Sequence, residues 1–131
     1  MEVYPSTAQA VVQNWPTPIL FSGFEIGVDI MTGLRLYQET PVDNPVRKAY
    51  ELFIGYEGSR HSWDLTAVLC GVRGTDGYWD TQTEGTVVVD ELGNNVWCPN
   101  TGGSHSYLVK KADDSFIENV LESLMVEALA Q

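Results

Sequence analysis

The chain has 131 residues, 44% of them hydrophobic, which suits a single globular domain and excludes intrinsic disorder, because enough apolar surface exists to offset the entropy of ordering. Eighteen acidic residues against seven basic ones leave a formal charge of −11. The cations are scattered, with Lys110-Lys111 a near-cluster at best, so neither nucleic acid nor an anionic membrane is an expected partner.

At the N terminus, MEVYP shows neither the basic region nor the apolar core of a signal peptide. The cytoplasm is the expected compartment, and a signal on any longer precursor stays open. Ser6 is a capping residue for a helix over residues 6–14, with Ala8, Val11, Val12 and Trp15 on one face; Pro16 and Pro18 end it. The apolar run over residues 19–24 predicts a strand buried on both faces, as in a parallel sheet, and helix followed by buried strand points to an α/β fold. Gly27, Gly33, Pro41 and Asp43 break any long period, so residues 25–43 read as a loop with one helical turn.

Asn44-Pro45 pairs a capping residue with proline at the first helical position. The helix it opens should reach about Tyr56 and turn Val46, Ala49, Tyr50, Phe53 and Ile54 inward. A further helix begins between Ser62 and Asp64, carries Leu65, Val68, Leu69 and Val72 as its apolar stripe, and closes at Gly74. Cys70 within it reads as a buried inert thiol; no C-x-x-C spacing exists, and one disulfide with Cys98 stays open. Short strands are expected over residues 78–81, 85–90 and 106–110, with a hairpin turn over 91–95; together they predict a small antiparallel appendage. The last helix, capped by Asp113 or Asp114, runs on Phe116, Ile117, Val120, Leu121, Leu124, Met125, Ala128 and Leu129, with Glu118, Glu122 and Glu127 on a solvated face. No apolar stretch approaches the ~20 residues that span a bilayer.

Chemistry concentrates at residues 60–64, where Arg60, His61, Trp63 and Asp64 meet a loop-to-helix junction. A carboxylate there can cap the helix, or it can turn inward and ligate a hard cation. Trp63 reads as core or as a substrate platform, and His61 as a surface histidine or a proton donor.

NWPTPILFSGFEIG at residues 14–27 and SWDLTAVL at 62–69, with YWD at 78–80, GTVVV at 85–89 and HSYL at 105–108, resemble the C-terminal half of the inosine-uridine nucleoside hydrolase family. FSGFEIG and SWDLTAVL are the most specific of these strings. The resemblance implies an α/β domain, of which residues 1–131 would be the C-terminal segment, that hydrolyses the N-glycosidic bond of ribonucleosides with a bound calcium ion. It assigns Asp64 as a metal ligand and Trp63 to the substrate side. Trp63 stands where the family often places a leaving-base histidine, so His61 is the candidate substitute. Glu2 would be the acid of a truncated ribose-contacting E-x-N motif, with Tyr4 where the amide belongs.

The family's N-terminal D-x-D-x-x-x-D-D cluster has no counterpart here. One carboxylate cannot hold calcium, which takes about six to eight oxygen ligands. The chain alone is therefore expected to be inactive and to bind calcium weakly if at all. Two readings follow: part of a nucleoside hydrolase, or a non-catalytic α/β module acting through self-association or interaction with another chain. In either case an exposed strand edge near residues 19–24 would favour a homodimer.

Overall fold

The computed structural model describes residues 4–127. In chain order its elements are α1 (Pro5–Asn14), β1 (Ile19–Phe21), α2 (Phe24–Gly27), β2 (Met31–Thr32), α3 (Leu34–Glu39), α4 (Pro45–Ile54), β3 (Arg60–His61), α5 (Trp63–Arg73), β4 (Trp79–Val89), β5 (Asn95–Pro99), β6 (His105–Lys110) and α6 (Asp114–Glu127). The fold is mixed α/β. Two compact units share the chain, one comprising Met1–Phe21 and Thr81–Val109, the other Ser22–Asp80 and Lys110–Gln131.

In the first unit a four-stranded mixed sheet has the order β1-β6-β4-β5. Strand β1 pairs with β6 in parallel, Ile19 opposite His105 and Phe21 opposite Tyr107. Strands β4 and β5 form an antiparallel hairpin with Val89 opposite Asn95. Its turn closes on Asp90, whose carboxylate accepts from the Leu92 N–H at 2.8 Å and the Asn94 N–H at 2.9 Å. Val12, Val87 and Val89 form a small core with Ala8, Phe21 and Trp97 against it. The His105 Nδ1 accepts from the Val87 N–H at 3.0 Å, a side-chain tie within the sheet.

Several expectations are corrected here. Helix α1 starts on Pro5, with Tyr4 at the cap and no bond from Ser6, because proline already supplies the helical φ at the first position. Strand β1 ends at Phe21; it is the outer strand of the sheet and Leu20 is exposed, so it is not buried on both faces. The β-rich segment is no separate appendage, since its hairpin completes the sheet that β1 and β6 begin.

The separate antiparallel sheet lies in the second unit, where β2 pairs with β3, Met31 opposite His61 and Thr32 opposite Arg60. The stretch read from sequence as a loop with one helical turn therefore holds two helices, α2 and α3, and strand β2. Helix α4 opens as expected: Asn44 accepts from the Val46 and Arg47 N–H groups at 2.8 and 3.1 Å. Its inward face matches the expected one only in part: Tyr50 and Ile54 are half-buried, but the fully buried residue is a charged one. Arg47 is buried, donating to the carbonyls of Tyr37 at 3.2 Å and Thr40 at 2.9 Å and to Glu51 at 3.1 Å, while Val46, Ala49 and Phe53 face water.

Helix α5 ends at Gly74, whose φ of +77° closes it as glycine can. Leu69 and Cys70 are buried, whereas Val68 and Val72 are exposed. Both cysteines are free, and burial pushes the Cys70 thiol up from its ordinary value. Helix α6 buries Ile117 and Leu121 but also Glu122, which is only 4% exposed and does not belong to the solvated face assigned to it. Ala128 and Leu129 of the expected stripe lie outside the described residues. Among the described residues no helix is long and apolar enough to cross a membrane.

Candidate functional site

Antiparallel pairing with β2 brings residues 60 and 61 to the start of α5, so Arg60, His61, Trp63 and Asp64 share one short turn. The turn is held from both flanks. On one, the Ser62 N–H donates to the Gly27 carbonyl at 3.1 Å and the Trp63 indole N–H donates to the Phe24 carbonyl at 3.0 Å. Gly27 is required there, since a Cβ would stand 2.7 Å from the backbone of Trp63. On the other flank the Ser62 and Thr32 hydroxyls bond at 2.9 Å, and Thr32 also meets the Tyr50 hydroxyl at 3.3 Å. Ser62, Thr32 and Thr66 are fully buried, so this polar cluster is fixed by its own bonds.

Asp64 is exposed in the first turn of α5. Ser62 stands at the cap position without a side-chain cap bond, and among the described residues Asp64 makes no hydrogen bond. Its carboxylate gains only the favourable field of the helix N terminus. It is free to meet a ligand.

The ring of Trp63 is engaged by the protein itself. Phe24 and His61 lie 5.3 and 4.9 Å from its centroid at shallow tilts, and the Arg60 guanidinium lies 5.9 Å away. Arg60 stacks more closely on Phe53, at 4.6 Å. His61 is exposed, and its Nδ1 donates to the Val28 carbonyl, which makes Nε2 the acceptor nitrogen of the neutral ring. Three of the sequence-derived candidates, His61, Trp63 and Asp64, thus share one turn. The fourth, Glu2, lies outside the described residues.

Sequence reasoning placed Tyr50 inward and Ser62 at the helix start but missed the rest of the support beneath this turn: Thr32, Glu118 and Glu122. Glu118 and Glu122 did carry a weak signal. They stand one helical turn apart beside Ile117 and Leu121, at the margin of the apolar stripe where a carboxylate can be drawn inward.

Calcium is the test of the expected chemistry. Asp64 is a single carboxylate, the Ser62 hydroxyl is used by Thr32, and His61 has turned one nitrogen to a backbone carbonyl. Among the described residues no three His, Cys, Asp or Glu side chains converge on one point. These residues do not make up a calcium site by themselves, given the six to eight or so oxygens the ion takes. Comparison of the chain with protein-family models, curated proteins and solved structures finds no match.

Proposed function

We propose that this chain is the C-terminal portion of a metal-dependent nucleoside hydrolase and contributes Asp64 to a site completed by carboxylates from elsewhere. One observation supports the reading above the rest. FEIG at residues 24–27 and SWDL at 62–65, which lie in the two most specific strings of the family resemblance, are packed against each other. Gly27 lies directly under Trp63 and Ser62, and Phe24 holds the indole. Two strings separated by more than thirty residues thereby build one turn that presents an unengaged carboxylate, the arrangement a late metal ligand needs. His61 is the candidate donor to a departing base in its doubly protonated form, since the neutral ring already spends its one N–H on Val28, and Trp63 shapes the wall beside it. The ligand class on this reading is a ribonucleoside.

The isolated chain should show no turnover of inosine or uridine with calcium present, and no stoichiometric calcium site of micromolar affinity by calorimetry. Complementation tests the proposal directly. A polypeptide bearing the family's aspartate cluster, mixed with this chain, should gain hydrolysis that falls by about two orders of magnitude or more with Asp64→Asn, as loss of a metal ligand implies. Activity indifferent to that change would reduce Asp64 to a charge at a helix end.

A second reading, self-association without catalysis, is favoured by a different observation. In the first unit α1 and β1 flank an open groove of about 660 Å³ lined by Val11, Trp15, Ile19 and Leu20, on the outer strand of the sheet. No charged residue lines it, which suits cover by a second apolar surface. On this reading the chain forms a homodimer, and substitution of Leu20 by Lys should convert it to monomer in light scattering.

A further inference from the structure

Strand β2 has two edges. One pairs with β3; the other side carries the Met31 N–H and, just past the end of the strand, the Gly33 N–H. No strand takes that second edge among the described residues. Two carboxylates do. The Met31 N–H donates to Glu118 at 3.1 Å, and the Gly33 N–H donates to Glu122 at 2.9 Å. Glu118 and Glu122 stand one helical turn apart on α6, a spacing that sets both acceptors against N–H groups two residues apart in the chain.

We propose that Glu122, assisted by Glu118, is a positioning residue for the Asp64 turn, acting through β2 and the Thr32–Ser62 contact. This rests on the reading of Asp64 as a ligand-bearing residue.

The mechanical path is short and made of groups that cannot yield. Thr32 lies between the two pinned N–H groups, is fully buried, and holds the Ser62 hydroxyl at 2.9 Å. Ser62 is itself buried, its N–H bonded to Gly27, and the next two residues are Trp63 and Asp64. Gly33 adopts φ +128°, and a Cβ there would stand 2.6 Å from the Tyr50 ring, so only glycine fits at the point where the chain leaves the strand. A second feature marks Glu122 as more than packing. Its other oxygen is buried with no hydrogen-bond partner in the described residues. A half-satisfied buried carboxylate costs stability relative to an apolar residue, and the residue is explained by the one bond it does make.

Hydrogen exchange on the intact chain tests this, with the Trp63 indole N–H resonance as a local spectroscopic signature. Glu122→Leu should raise exchange at Gly33, Ser62 and Thr66 about tenfold or more and shift the Trp63 indole signal. Amides of the β4–β5 hairpin should stay unchanged. Glu122→Gln keeps an acceptor for Gly33 and should restore most of the protection and the indole position. If Glu122→Leu does not fold, Glu118→Leu reports in its place, through Met31 and His61 across the strand pair. Uniform acceleration throughout the second unit, or a Gln variant no better than Leu, would overturn the proposal. None of these readouts requires metal or turnover. Failure of the hydrolase reading would appear in the complementation assay while this pattern stood.

Discussion

Glycine 27 shows how a single position can carry the geometry of a site. Its missing side chain lets α2 lie against the backbone of Trp63, and nothing flexible stands where a methyl group would go. Gly27→Ala should therefore destabilise the fold by about 1–3 kcal/mol, the usual cost of overpacking, read as a lower urea midpoint at unchanged slope. Asp64→Asn should behave oppositely. The side chain is exposed and bonds to nothing in the described residues, so the urea midpoint should move by no more than about 0.5 kcal/mol equivalent. Stability insensitive to Asp64 but sensitive to Gly27 is what a presented ligand on a rigid seat requires. The cluster at residues 60–64 was legible because its members are neighbours in the chain. Thr32, Glu118 and Glu122 were not, because they reach the same turn from about 30 to 60 residues away, and no periodicity encodes a partner at that separation.

Among the elements, α4 is the clearest case of local pattern and tertiary outcome parting. The cap was legible, since Asn44-Pro45 is a local signal and the Asn44 side chain accepts two backbone N–H groups. Asn44→Ala should cost about 1 kcal/mol by denaturant titration. The buried face was not legible. Hydrophobic periodicity assigns it to Phe53 and its neighbours, whereas Arg47 turns inward because two carbonyls at the end of α3 need donors and Glu51 shares its charge. Arg47→Met should lose about 2–3 kcal/mol despite adding an apolar residue to a buried position, since both carbonyls would be left unpaired. In the β4–β5 hairpin, the Asn94 side chain and the turn amides bonded to Asp90 hold its carboxyl below the ordinary Asp value. A depressed carboxyl stabilises the fold above its unfolded value. Hairpin protection should therefore begin to fall as pH drops through about 3.8 and be gone below the lower folded value, whereas Asp90→Asn should flatten that dependence.

For the molecule as a whole, the succession of helix and strand signals foretold the α/β class, but not the division into two units. Each unit is assembled from two stretches of chain with the other unit's residues in between, and a sequence read in order has no means of announcing that. Cutting after Phe21 or before Lys110 would deprive each unit of one of its own pieces, so neither should fold alone as a simple truncation. Limited proteolysis followed by thermal melting checks this: a single nick near residue 80 should leave both fragments associated. The glutamates of α6 carry the same discontinuity into the order of biosynthesis. They reach back 87 and 89 residues to the strand they hold. A ribosome delivering roughly 5–20 residues per second makes β2, β3 and the Asp64 turn several seconds before it makes α6. During that interval the edge of β2 is open to any passing strand, and a chaperone that shields it would raise the yield of native protein.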